Sequence, residues 1–204
     1  TLDEVDASKM NFASADTTNR YRIKNIFFSR DFGQCFSETL NENPHWNFED
    51  KNIGDSLITG TLNGYELINH GDTPTAEITD EISYSGTKSL KIVSNSGYIA
   101  FKLSDPIQSS SFENWLLGFR FAQNTTGVLR IKLRIDALDE NGNLIKSSGD
   151  FHPDRSADTS LTWAFTEYIR QYTTPPGTNS INFFIEVSGF EGTVYIDDII
   201  LNKA

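Results

Sequence analysis

The chain has 204 residues, 37% of them hydrophobic and 12% aromatic, which is enough to build a buried core and excludes global disorder. A formal net charge of -11 argues against nucleic acid or an anionic membrane surface as partner, since both would be repelled. The single cysteine, Cys35, cannot form an internal disulfide, no Cys/His cluster suits zinc, and no run approaches the ~20 apolar residues of a membrane helix.

Residues 1 to 45 are polar and weakly patterned, with one candidate strand from Arg20 to Phe28 and a loop from Asp31 to Pro44. This stretch reads as an irregular N-terminal arm or a linker from an upstream domain, and residues 46 to 204 as the folded module. A chain that opens on Thr1 without Met reads as a fragment of a longer protein, so the missing export signal says nothing about compartment.

Within the module, period-two runs rich in Ile, Val, Phe and Tyr recur between Gly, Asn, Asp, Ser and Pro. Lys88 to Ser94 and Tyr98 to Leu103 flank Asn95-Ser96-Gly97, which predicts a tight turn between paired strands. Trp115 to Ala122 places Trp115, Leu117, Phe119 and Phe121 on one face. Val128 to Leu138 alternates Leu129, Ile131, Leu133, Ile135 and Ala137 against Arg130, Lys132, Arg134 and Asp136. Asn141-Gly142 predicts a type I′ hairpin turn, in which both central residues need positive φ. Leu161 to Tyr172, Ser180 to Val187 and Thr193 to Leu201 complete the strands. Pro175-Pro176-Gly177 and Gly189 to Gly192 are expected to break the chain between them. With no amphipathic helix in view, the expected class is an all-β, antiparallel β-sandwich.

Asn47-Phe48-Glu49-Asp50, Gly64-Tyr65-Glu66, Ser85 to Ile92 (SGTKSLKI) and Gly192 to Leu201 (GTVYIDDIIL) occur in that order, with Thr162-Trp163 and Pro175 to Thr178 between the last two. Over residues 46 to 202 the chain resembles the carbohydrate-binding modules of families 4, 9, 16 and 22. The resemblance implies a jelly roll that binds a polysaccharide or cell-surface saccharide without cutting it and tethers a larger extracellular protein. It also implies a structural Ca2+ held by the carboxylates of Glu49 and Asp198 and the backbone carbonyl of Lys88, chemistry suited to a hard cation. Adjacent strand residues face opposite ways, so which of Asp197 and Asp198 reaches the ion stays open, as does a plain solvent-facing pair.

For the sugar, the basic stripe Arg120, Arg130, Lys132 and Arg134 stands out in an acidic chain, with Asp136, Asn182 and Glu186 as its polar rim. The competing reading is a solvated face with ion pairs such as Arg134 with Glu186. Tyr65, Tyr98, Tyr168 and Tyr172 are candidate platforms, whereas Trp115 and Trp163 read as core and the role of Trp46 is open. A rival site is the long loop from Ser147 to Ser160, which carries Phe151, His152 and Arg155. An enzyme is not expected: His45, His70 and His152 fit no catalytic pattern, and only Asp136 with Glu186 suggests a carboxylate pair. An adhesive module of a phage baseplate or tail, or of a bacterial surface assembly, is the alternative.

Overall fold

The computed structural model describes residues 47–71, 74–148 and 162–203. The expected arm, Trp46, and Phe151, His152 and Arg155 of the long loop lie outside them. The described residues contain no helix and nine strands: β1 (Tyr65–His70), β2 (Thr75–Thr79), β3 (Ser89–Asn95), β4 (Tyr98–Leu103), β5 (Ile107–Gln108), β6 (Asn114–Leu138), β7 (Leu144–Ser147), β8 (Thr162–Thr173) and β9 (Ser180–Lys203). All pairings are antiparallel.

The frame is the ribbon formed by β6 and β9, paired from Trp115↔Lys203 to Leu138↔Ser180. It bends near its middle, so that each half becomes the central pair of one layer. In the first layer the order is β2-β3-β9-β6-β8, using the N-terminal half of β6 and the C-terminal half of β9. In the second it is β1-β4-β9-β6-β7, using the other two halves. The result is an all-β antiparallel sandwich.

Between the layers lies one core. Trp115, Leu117, Phe119 and Phe121 of the first layer meet Ile131, Leu133, Ile135, Phe183 and Ile185 of the second in a single buried cluster. Each large apolar side chain removed from water stabilises the fold by roughly 1.5–3 kcal/mol. Trp115 is fully buried, as its alternation predicts, and its indole N–H donates to Ser109 Oγ at 3.0 Å. Tyr65 is core as well, packed edge-on to Phe101.

Three local expectations are corrected. Gly189 to Gly192 does not break the chain: β9 runs through it, and β6 likewise runs through the gap expected before Val128. Glycine here bends a strand that remains hydrogen-bonded. Asn95-Ser96-Gly97 does not join paired strands, because β3 pairs with β2 and β9 whereas β4 pairs with β1 and β9. The turn instead carries the chain from one layer to the other, and the Ser96 N–H donates to Phe190 O at 2.8 Å. The β6–β7 hairpin is not type I′ either, since only Gly142 has positive φ. Asp139 holds that turn with its carboxylate, accepting the N–H groups of Asn141 and Asn143.

The bend depends on Gly192. Its φ is +125°, and a Cβ there would collide with the backbone carbonyl of Asn124 on the paired strand. Left-handed strain of about 1–2 kcal/mol and overpacking of about 1–3 kcal/mol set the scale for Gly192→Ala. That substitution should lower unfolding stability by about 2–5 kcal/mol in denaturant titration, and an unchanged midpoint would show that the bend tolerates a side chain.

Candidate functional site

The outer face of the second layer gathers most of the described candidate residues. Alternation along β6 sends Ile131, Leu133 and Ile135 into the core and Arg130, Lys132, Arg134 and Asp136 outward. Along β9 it sends Asn182, Phe184, Glu186 and Ser188 outward, and along β4 Tyr98, Ala100 and Lys102. Register then stacks these side chains in rows: Arg130–Ser188–Tyr98, Lys132–Glu186–Ala100, Arg134–Phe184–Lys102 and Asp136–Asn182.

The basic stripe is therefore interleaved with acid. Lys132 Nζ lies 3.2 Å from Glu186, directly across the ladder. Arg134 Nε lies 3.2 Å from Asp136 on its own strand, and Lys102 Nζ lies 2.9 Å from Glu66 on β1. An Arg134–Glu186 pair is not formed, because Phe184 stands opposite Arg134. The Arg134 guanidinium instead lies over the Phe184 ring, 4.1 Å from its centroid. Asp136 also accepts the Ser147 hydroxyl from β7, so the carboxylate that fixes Arg134 is itself held. Asn182 Oδ1 is buried without a hydrogen-bond partner in the structure. Arg130 is exposed, and Tyr98 is 37% exposed.

Other candidates fall elsewhere. Arg120 belongs to the first layer, where its guanidinium meets Asp198, so it does not extend the stripe. Tyr168, on β8, pairs through its backbone with Phe119 of β6, and its side chain is outside the described set. Tyr172 is half-buried against the core, and burial followed by the charge of Asp136 pushes its hydroxyl pKa up. Asp136 and Glu186 do not converge as a carboxylate pair. Asp136 is opposite Asn182, four residues from Glu186, an offset of about 13 Å along the sheet at ~3.3 Å per residue. Two-carboxylate hydrolysis needs about 5–9.5 Å. An open depression of about 480 Å³ lies beside β1, lined by Leu57, Ile58, Tyr65, Glu66 and Leu67 among others; of the candidate residues it holds Tyr65, whose ring is buried in the core. Phe184 was missed by sequence reading, although the doubled Phe183-Phe184 in an alternating strand requires one ring to face outward.

At the opposite layer, the segments assigned to calcium by resemblance do meet. The meeting point is the loop Tyr84–Lys88. Glu49 Oε1 accepts the N–H groups of Thr87 and Lys88, both at 2.8 Å, and Oε2 accepts the Thr87 hydroxyl at 3.0 Å. Asp197 Oδ2 accepts the N–H groups of Tyr84 and Ser85 at 2.7 and 3.1 Å. Asp198 accepts the Ser85 hydroxyl at 2.5 Å through one oxygen and Arg120 at 2.5 Å through the other. Both aspartates reach the same loop because β9 bulges there: Gly118 faces Ile200 while Arg120 faces Asp197, and Asp198 takes φ +46°. Aspartate tolerates that region better than most residues.

This donor set does not fit a calcium cage. Calcium takes six to eight oxygens, yet the carboxylates here face N–H, O–H and guanidinium donors. The Lys88 ammonium sits on the carbonyls of Glu49 and Lys51, at 2.9 and 2.6 Å. Among the described residues, no three His, Cys, Asp or Glu side chains are grouped to hold a metal.

The clamp gives stability a pH signature. Burial, with the charge of Asp198, pushes the Asp197 carboxyl up to about 7 against the N–H bonds that pull it down. The folded state therefore holds a proton that the unfolded chain releases near pH ~3.9, so stability declines as pH rises through about 7. Burial raises Glu49, but its bonds to Thr87 and Lys88 more than offset this and leave it below the usual range. Lys91 and Tyr195 lower Glu81 likewise. Their contribution is present above the unfolded pKa of about 4.3 and is lost as pH falls through the folded value. Melting temperature should peak in mildly acidic buffer, fall as pH rises to about 7 and level off above it, and fall again toward about pH 3; a Tm still rising from about pH 6 to about pH 8 would contradict the assignment.

No protein-family model matches the chain, and no curated protein sequence is significantly similar to it. Solved structures do match. The enzymatically active domain of bacteriophage CBA120 tailspike protein 4 superposes with a TM-score of 0.60 at 17% identity, over 82% of this chain and 22% of that one. A family 61 carbohydrate-binding module, TmCBM61 in complex with β-1,4-galactotriose, superposes with a TM-score of 0.50 at 15% identity, over 80% of this chain and 99% of the module. At such identities the likeness speaks for architecture alone: this chain shares its β-sandwich fold with the family 61 module and with the tailspike domain.

Proposed function

We propose that the outer face of the second layer binds a polysaccharide without cleaving it, and thereby tethers a larger extracellular protein to its target. The observation that carries this reading is the locked Arg134: an aromatic ring beneath it and a carboxylate beside it hold a flat, donor-rich group 40% exposed on a sheet face. Fixed donors lose little entropy on binding, which suits recognition of a hydroxyl-covered chain. Tyr98, two strands away in the next but one row, supplies a half-exposed ring for the apolar face of a sugar. Glu186 stands midway between them on β9, with the small side chains of Ala100 and Ser188 on either side of it.

The charge pattern favours a neutral saccharide. Lys132, Arg134 and Lys102 each have a carboxylate neighbour on the same face, so little field remains to attract a polyanion. A tether of this kind acts by raising local concentration. In a second reading the module belongs to a phage tail or bacterial surface assembly and meets host-wall saccharides through the same face. The tailspike domain, at a TM-score of 0.60, favours keeping it.

Pull-down on insoluble neutral polysaccharides and on isolated bacterial walls tests both readings. Arg134→Ala and Tyr98→Ala should each weaken retention about 10-fold or more, in line with the roughly 1.5–3 kcal/mol of a charge-assisted hydrogen bond. Retention of the unaltered chain should change little as salt rises from about 0.05 to about 0.5 M, because the face carries few unbalanced charges. Failure to bind any glycan, or binding indifferent to both substitutions, would remove the face from the account.

A further inference from the structure

Three segments distant in sequence are closed around the Tyr84–Lys88 loop, and each closure uses a donor that the chain itself supplies. We propose that Arg120 and Lys88 take the place of a structural calcium in this module, so that its closure does not depend on a divalent ion. The inference concerns the fold and stands whether or not the sheet face binds a saccharide.

The argument begins with the buried acids. Asp197 and Asp198 are both sealed from solvent, at 0% and 2% exposure. Two adjacent carboxylates in such a place need compensating charge or a strong set of donors. Arg120 provides the charge. Its Nη1 lies 2.5 Å from Asp198 Oδ2, and the guanidinium is held over the Tyr84 ring at 4.0 Å. A guanidinium stays charged at any pH the fold survives, so it is a permanent counterion that no chelator removes.

Lys88 fills the second role. In a calcium cage, backbone carbonyls turn their lone pairs toward the metal. Here the carbonyls of Glu49 and Lys51 turn toward the Lys88 ammonium, at 2.9 and 2.6 Å. The same lysine's backbone N–H donates to Glu49 Oε1 at 2.8 Å. One residue thus binds both the side chain and the main chain of the N-terminal turn. For calcium to bind Glu49 instead, that carboxylate would have to give up three donors and the nearby ammonium would have to leave.

Gly86 shows how tightly the closure is made. It has φ +60°, and a Cβ there would come within 2.5 Å of Glu49 Oε1. The Glu49 carboxylate is seated against the bare backbone of the loop, and hydrogen bonds to the next two residues use both of its oxygens.

Thermal unfolding of the chain in excess EDTA and in about 5 mM calcium tests the proposal, together with calcium titration calorimetry. The expected result is a wild-type Tm that differs by less than about 1 °C between the two buffers, and no binding heat. Arg120→Gln should lower Tm by about 6 °C or more in both buffers, since removing one member of a buried ion pair strands the other. Lys88→Met, which keeps the stem and the backbone N–H, should lower it by a smaller amount that is again insensitive to calcium. A wild-type Tm that falls by more than about 3 °C in EDTA would overturn the proposal, as would saturable calcium heat or an Arg120→Gln variant that melts like the wild type. If Arg120→Gln does not fold, Arg120→Lys retains the charge without the fork and the same readings apply. The wild-type chelation result needs no variant.

Discussion

One hydrogen-bonded ribbon passes through both layers of this sandwich, and the positions of all other described strands follow from it. Because β6 and β9 stay paired from Trp115↔Lys203 to Leu138↔Ser180, the register of one layer is tied to that of the other. A slip of one residue would reverse every side chain in both, exposing the Phe119–Ile135 core and burying the charges of β6. Such a ribbon can serve two layers only if it bends, and at the bend its register shifts between Gly127 and Arg130 before pairing resumes. Gly189 and Gly192, at φ +76° and +125°, give β9 that bend. The outer face of the second layer and the clamp of the first are thus set by opposite ends of the same two strands.

The clamp answers a problem that the ribbon creates. The last strand passes the Tyr84–Lys88 loop at Asp197 and Asp198, and the turn at Phe48–Lys51 must be held to the same place. A regular strand offers one side chain in two to any neighbour. The bulge at Asp198 interrupts that alternation and gives the loop two consecutive carboxylates. The cost is a positive φ on a non-glycine residue, offset by hydrogen bonds to Tyr84, Ser85 and Arg120. Phe48, also at positive φ and fully buried, shows the same exchange of local strain for tertiary packing at the other end of the module.

What the sequence reveals here depends on how far each feature reaches along the chain. Alternation is local, so the inward set Trp115, Leu117, Phe119, Phe121 and the outward set Arg130, Lys132, Arg134 were legible from single strands. Partnership is not local. Arg120 looked like part of the basic stripe because alternation assigns a face without naming the layer, and the bend between Ala122 and Arg130 puts it in the other one. The expected Arg134–Glu186 pair failed for a similar reason: charge suggests it, but register places Lys132 opposite Glu186 and Phe184 opposite Arg134. The glycines of β9 were read as breaks because glycine signals a departure from regular geometry without saying whether pairing survives. The bulge left no local mark beyond a doubled aspartate, since a bulge is a relation between two strands.

The interleaving of charge on the candidate face is better understood through geometry than through field. A stripe of unpaired cations on a chain of net charge -11 would have served to attract an anion. Once Lys132, Arg134 and Lys102 are each tied to a neighbouring acid, much of the attraction is spent inside the protein. What is gained is position: Arg134 is held between a ring and a carboxylate, with its side chain 40% exposed. A saccharide chain presents many weak acceptors at fixed spacing and little charge, so donors held in place are worth more to it than donors that must be ordered on arrival. The same reasoning accounts for Tyr98 and Phe184 as described rings on this face while Trp115 goes to the core. Trp115 is needed between the layers, and on the sheet the smaller rings leave the polar groups beside them within reach of the same ligand.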